Sequence, residues 1–203
     1  MADASYRVPA ATHRGEHVVT RSRFVTTIAR AETPAEAHAL VERIRDELPD
    51  ASHHCWAFVA GPPGSTAHIG LSDAGEPKGT AGRPILTVLL HSGIGEIAAV
   101  SSRWFGGTKL GTGGLARAYA EGVTRALQTL PTELKVRRAS VDVTVSYARV
   151  DALRQLVSEL DGVLEEETYG ADVRYRVAVP IDALDRFEAR LADATAGEGR
   201  VIR

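Results

Sequence analysis

Two glycine-rich stretches hold the residues whose types and spacing bear on chemistry. The first reads Glu76-Pro77-Lys78-Gly79-Thr80-Ala81-Gly82-Arg83-Pro84, and the second runs from Arg103 through Trp104, Phe105, Gly106 and Gly107 to Gly114. Each leads into an apolar, helix-periodic segment. A helix start leaves backbone N–H groups without intrahelical partners and carries a partial positive charge, so it attracts an anion. Glycines let such a ligand approach the main chain, and neighbouring Arg or Lys supply countercharge. On the first loop the expected anion contacts are Lys78, Gly79, Thr80, Gly82 and Arg83. On the second they are Arg103, Gly106, Gly107, Lys109, Gly111, Thr112, Gly113 and Gly114, with Arg117 one helical turn further on. From Arg103 to Arg125 four basic residues face one acid, Glu121, although the chain as a whole carries a net charge of −2. An anionic partner is therefore expected to be held by a local basic surface, not by the field of the whole molecule.

Neither loop has the spacing of a P-loop or a dinucleotide fingerprint. The glycines therefore also admit a packing role, permitting tight turns and close helix–sheet contact with the basic residues solvated. Glu76 is expected to cap backbone amides or to pair with Arg83; in an enzyme it would be the general base. Trp104-Phe105 follow an apolar strand and are expected in the core, the alternative being a stacking surface for a nucleic-acid base. His53-His54-Cys55 alternate across a strand and do not converge on a metal. No Ser/His/Asp or Cys/His nucleophile set has a recognisable local context. No metal and no cofactor is expected.

The apolar pattern predicts the elements that position these loops. Residues 1–16 read as a flexible leader, followed by a strand from Val18 to Ile28. Thr33-Pro34 opens a helix along Ala37, Val41, Ile44 and Leu48. His54–Ala60 and Ala67–Leu71 form a hairpin, Pro84–His91 a helix, and Ile97–Ser101 a buried strand. Gly106–Gly114 is expected to be irregular, since five glycines lose much backbone entropy in regular structure. Leu115, Ala118, Tyr119, Gly122, Val123, Ala126, Leu127 and Leu130 then keep helical spacing until Pro131. Beyond a linker near Leu130–Arg137, strands at Val141–Tyr147, Val163–Thr168, Val173–Val179 and Val201-Ile202 alternate with helices at Val150–Leu160 and Ile181–Leu191. That β-α-β-β-α-β order is the ferredoxin-like split βαβ. Domains of residues 17–135 and 136–203 follow. Hydrophobic content of 44% is enough for such cores without metals or disulfides, and the single Cys55 excludes an internal disulfide. With no secretory signal and no apolar run of about 20 residues, a cytoplasmic protein without membrane contact is expected.

Taken together, Arg21-Ser22-Arg23-Phe24, His53-His54-Cys55-Trp56-Ala57-Phe58, the stretch from Asp73 to Leu86, the stretch from Arg103 to Leu115, and Arg117-Ala118-Tyr119 resemble the IMPACT/YigZ family. The resemblance runs from about residue 17 to the end. Two departures are visible: Ala74 stands where that family usually has a second acid, and Lys78 where it usually has a small hydroxyl residue. The eukaryotic regulators of the family carry a separate N-terminal module that residues 1–16 do not provide, so their partner is not carried over. The resemblance implies an α+β protein: an N-terminal ribosomal protein S5 domain 2-like fold followed by a C-terminal ferredoxin-like βαββαβ domain. Both are similar to domains of elongation factor G. It implies a non-enzymatic RNA- or ribosome-binding protein that modulates translation, with RNA, the ribosome, a translation factor or another protein as partner. The alternatives are an enzyme acting on a phosphorylated small molecule or nucleotide, and an adaptor with no anionic ligand. The absence of a carboxylate cluster for metal beside the loops favours the first over the enzyme.

Overall fold

The computed structural model describes residues 5–202. The chain divides after Lys135: one unit holds Tyr6–Lys135, and the other takes Ser5 together with the chain from Val136 onward. The first unit runs β1 (Ser5–Pro9), β2 (His13–Val19), β3 (Ser22–Arg30), α1 (Pro34–Glu47), β4 (His53–Val59), β5 (Ile69–Ser72), α2 (Gly82–Leu90), β6 (Ile97–Trp104), α3 (Gly111–Gln128) and β7 (Thr132–Val136). Its main sheet has the order β2-β3-β6-β4-β5, every neighbouring pair antiparallel. β6 is buried from Ile97 to Arg103 because both faces of the sheet are covered. On one face α1 packs Ala37, Leu40, Val41 and Ile44 against Phe58, Ala98 and Val100. On the other, Ile85 and Leu89 of α2 and Leu115, Tyr119 and Val123 of α3 pack against Phe24, Ile28, Cys55 and Ala99. α1 begins where Thr33-Pro34 predict. The Thr33 hydroxyl oxygen accepts from the Glu36 N–H at 3.2 Å and caps the helix, and Glu36 accepts from the N–H of the preceding Glu32 at 2.9 Å.

Three expectations need correcting. The leader expected over residues 1–16 instead carries β1 and the first part of β2, residues 1–4 lying outside the described ones. Tyr6 and Val8 of β1 are buried, and the Tyr6 hydroxyl donates to the buried Glu96. Arg7 of β1 is exposed, and residues 13–16 of β2 alternate between half-buried and exposed, which leaves the composition polar. The single strand expected over Val18–Ile28 is a hairpin of β2 and β3, turned at Thr20 and Arg21 with φ of 44° and 67°. Two consecutive left-handed residues give the twist a tight hairpin needs, here without the usual Asn-Gly pair. The linker expected around Thr132–Lys135 is β7, which pairs with β1.

The second unit runs β8 (Arg138–Val145), α4 (Val150–Glu159), β9 (Val163–Tyr169), β10 (Val173–Pro180), α5 (Leu184–Ala194) and β11 (Arg200–Ile202). Its antiparallel sheet has the order β11-β8-β10-β9, the arrangement of two interleaved split βαβ units. Val143, Val145, Tyr175 and Val177 point to one face and meet Leu153, Val157, Phe187 and Leu191 of the two helices. On the other face Arg176 bridges Asp142 at 3.1 Å and Glu166 at 3.5 Å, pairing charges across three strands. The protein is thus α+β throughout. Among the described residues, no helix is long and apolar enough to cross a membrane.

Candidate functional site

The strand register brings several connections to one end of the five-stranded sheet. Val19 pairs with Ser22, Arg23 with Trp104, His53 with Arg103, and Trp56 with Ser72. The Thr20–Arg21 turn, the segment 73–81 and the segment 105–110 therefore leave the sheet at the same end, where α2 and α3 also begin. The turn and the second loop interlock. A Cβ on Gly106 would lie 2.1 Å from the carbonyl carbon and oxygen of Arg21, and the Gly106 N–H donates to Ser22 Oγ at 3.3 Å. No residue with a side chain fits there.

Beneath the loops lies a buried polar cluster. Arg103 and Glu76 are 4% and 8% exposed, and Arg103 Nη1 donates to Glu76 Oε1 at 2.7 Å. The Tyr119 hydroxyl of α3 donates to the same oxygen at 2.7 Å, and Arg103 Nη2 donates to Ser22 Oγ at 3.2 Å. Cys55 Sγ donates to the Asp73 carbonyl at 2.9 Å and lies 3.4 Å from the Tyr119 hydroxyl oxygen. Burial pushes the Cys55 thiol up to about 12 and drives the Tyr119 phenol upward too, so both stay protonated and inert. This arrangement corrects two expectations. Arg103 is not an outward anion contact, because its charge is compensated by Glu76 inside the protein. Glu76 neither pairs with Arg83 nor stands free as a base.

The first loop carries its own anion. Asp73 Oδ2 accepts from the Gly79 N–H at 2.7 Å, and Oδ1 accepts from those of Ala81 at 3.0 Å and Gly82 at 2.8 Å. Burial raises the Asp73 carboxyl, but the bonds from Gly79, Gly82 and Ala81 outweigh it and hold the group below the ordinary carboxylate value. Thr80 is buried and its hydroxyl donates to the Pro77 carbonyl at 2.7 Å. A Cβ on Gly82 would lie 2.9 Å from the Ser72 backbone, so that glycine serves close packing. Gly79, Thr80 and Gly82 are thus engaged internally, a correction to their expected role as anion contacts: the start of α2 is already filled by Asp73. The carboxylate that accepts from these amides is Asp73 and not Glu76, one of whose two expected roles was to cap them.

The second loop remains open. α3 begins at Gly111, not after Gly114, so the glycine stretch is partly regular. The first turn has N–H groups that no intrahelical bond would use, which softens the cost of glycine there. No side chain caps this helix start, and Gly111, Thr112 and Gly113 are exposed. Lys78, Arg83, Lys109 and Arg117 are exposed as well, as is Arg21 on the neighbouring turn. None of these five makes an ion pair or side-chain hydrogen bond with the described residues. The nearby acids have other partners: Glu16 binds Arg23, Glu121 binds Arg125, and Asp50 accepts from Trp104 Nε1 at 2.9 Å. Arg21 was not among the expected contacts; only the hairpin brings it here. Trp104 and Phe105 are not core residues as expected: Trp104 is half-buried and Phe105 is 50% exposed. β6 ends at Trp104, and Phe105 lies beyond the buried part of the strand. His53 and His54 take separate partners, the Ala74 carbonyl and Ser102 Oγ. No group of His, Cys, Asp or Glu among the described residues is arranged to hold a metal ion.

The family model described as the Impact N-terminal domain matches residues 20–127, which contain both loops, and one described as a Domain of unknown function (DUF1949) matches residues 143–198. "IMPACT family member YigZ" of Escherichia coli K12 is 42% identical over 198 residues, covering 98% of this chain and 97% of that protein. "IMPACT family member YvyE" of Bacillus subtilis is 31% identical over 190 residues, covering 92% and 86%. A solved structure described as "Crystal structure of an hypothetical protein" superposes with a TM-score of 0.74 at 40% identity, over 98% of this chain and 97% of that one. With both halves matched and the relatives aligned almost end to end, this chain belongs to the IMPACT family.

Proposed function

We propose that this protein is a non-enzymatic RNA- or ribosome-binding protein that modulates translation, holding phosphates at the loop-bearing end of its five-stranded sheet. The observation that carries the reading is the set of five exposed, unpaired cations, Arg21, Lys78, Arg83, Lys109 and Arg117, beside the uncapped start of α3. Elsewhere arginines are largely matched to acids, as Arg30 is to Glu32, Glu96 and Glu133. Charge is also divided along the chain: residues 6–135 hold 14 Lys and Arg against 12 Asp and Glu, and residues 136–203 hold 10 against 13. A polyanion is therefore drawn to the first unit. One feature weighs against an enzyme of phosphorylated small molecules: Glu76, its candidate base, is bonded to Arg103 and Tyr119.

Phosphate contacts release counterions, so affinity for RNA falls steeply with salt. Lys109→Ala and Arg117→Ala are each expected to weaken binding to unrelated RNA sequences about equally and to flatten the salt slope by about one unit. Affinity unchanged by both substitutions in folded protein overturns the reading in favour of the adaptor. Co-sedimentation with ribosomes at two salt concentrations separates a ribosomal partner from free RNA.

A further inference from the structure

Phe105 is 50% exposed, yet its backbone is held on both sides. Its N–H donates to Ser52 Oγ at 3.3 Å, and the N–H of Gly106 donates to Ser22 Oγ at 3.3 Å. The guanidinium carbon of Arg103 lies 5.5 Å from the Phe105 ring centroid and 5.6 Å from that of Phe24, and Glu76 and Ser22 hold the same guanidinium. One face of the ring is thus backed by a fixed, buried cation, and half of the residue stands in solvent. Apolar burial favours sequestering a phenyl ring, whereas this framework keeps one outside. The neighbouring Trp104 is held as firmly: Arg23 lies 4.5 Å over its ring, and its Nε1 donates to Asp50.

We propose that Phe105 is a base-stacking platform, and that the nucleic acid held at this end of the sheet is single-stranded RNA. The inference rests on the phosphate-binding reading above and adds the class of ligand to it. Lys109, four residues along the same loop, takes the backbone, as does Arg117 beyond it; the ring takes a base. In a duplex the faces of the bases are closed by stacking, and the deep, narrow major groove of A-form RNA admits no side chain to them, so only an unpaired base reaches the ring. Stacking on an aromatic side chain tolerates any base, which suits a loop without an array of side-chain hydrogen-bonding groups around the ring. Cations alone do not discriminate in this way, because they bind the phosphates of duplexes and single strands alike.

The test measures fluorescence anisotropy of a labelled RNA of about 12 nucleotides and mixed sequence, single-stranded or annealed to its complement, with the full chain at low salt. Wild type is expected to prefer the single strand. Phe105→Ala is expected to weaken single-strand binding about tenfold while leaving duplex binding unchanged. Phe105→Tyr keeps the ring and is expected to retain affinity. Phe105→Leu keeps apolar bulk without the ring and is expected to behave as alanine does, which separates stacking from loss of fold. If Phe105→Ala and Phe105→Leu weaken both forms equally, or neither, while Lys109→Ala weakens both, stacking is overturned and phosphate binding stands. If wild type binds neither form, the phosphate-binding reading fails and stacking fails with it, leaving the exposed ring to a protein partner.

Discussion

Arg103 opens the second glycine-rich stretch of the sequence, yet its guanidinium is buried against Glu76. A buried ion pair gains strength from low dielectric but loses hydration, so its net contribution to stability is small, while breaking it by removing one partner costs about 3–5 kcal/mol. Arg103→Met is therefore expected to destabilise the protein by roughly that amount, because it leaves the Glu76 carboxylate buried beside Tyr119. Arg103→Met combined with Glu76→Leu removes both charges and is expected to recover most of the loss. Urea unfolding of the two single variants and the double variant gives the coupling directly. A double variant no more stable than the worse single one shows that Arg103 acts through packing on Phe24 and Phe105 and not through its charge. The sequence placed Arg103 and Glu76 in different loops without a pattern linking them. Their pairing depends on the register that sets His53 opposite Arg103.

α2 shows how a helix start that looks like an anion site becomes occupied from within. The glycines, the positive end of the helix and the flanking Lys78 and Arg83 were all legible; the Asp73 carboxylate that fills the site was not. Asp73 is held below the ordinary value, as is Glu96, whose rise through burial is outweighed by bonds from Lys135, Tyr6 and Arg30. A group whose folded value is depressed contributes stability fully present above its unfolded value, about 4 for a carboxylate, and lost as pH falls through the folded value. Acid unfolding should therefore set in below about pH 4. Asp73→Ala is expected to lower stability at neutral pH by about 2 kcal/mol, the upper end for a helix cap since three N–H groups lose their acceptor. It should also flatten the acid limb. Urea midpoints between neutral and acid pH measure both, and parallel acid limbs for wild type and variant show that the cap is not a source of the pH dependence.

At the scale of the whole molecule, each unit has its own apolar core, one built around Phe24, Ile28 and Tyr119 and the other around Val143, Tyr175 and Phe187. A fragment of residues 136–203 is near the lower size limit for independent folding, but its complete two-layer pattern is expected to give a cooperative thermal transition by circular dichroism. That fragment is expected to bind RNA far more weakly than the full chain, because its 13 Asp and Glu outnumber its 10 Lys and Arg, and Arg176 is matched to Asp142 and Glu166. Equal binding by the fragment in an anisotropy titration moves the site to the second unit. The sequence alone determined the α+β class, most helices and strands of both units, and the concentration of basic charge around the second glycine loop. These rest on short-range periodicity and charge, which are written locally. It did not determine which cations stay free. Arg103 is consumed by Glu76, and Arg21 joins Lys109 only because a hairpin closes at the same end of the sheet. Nor did it determine that Trp104 and Phe105 face outward, since an apolar strand end reads the same whether or not a helix covers it. Those outcomes depend on strand register and on which faces the helices cover, and only the tertiary structure decides them.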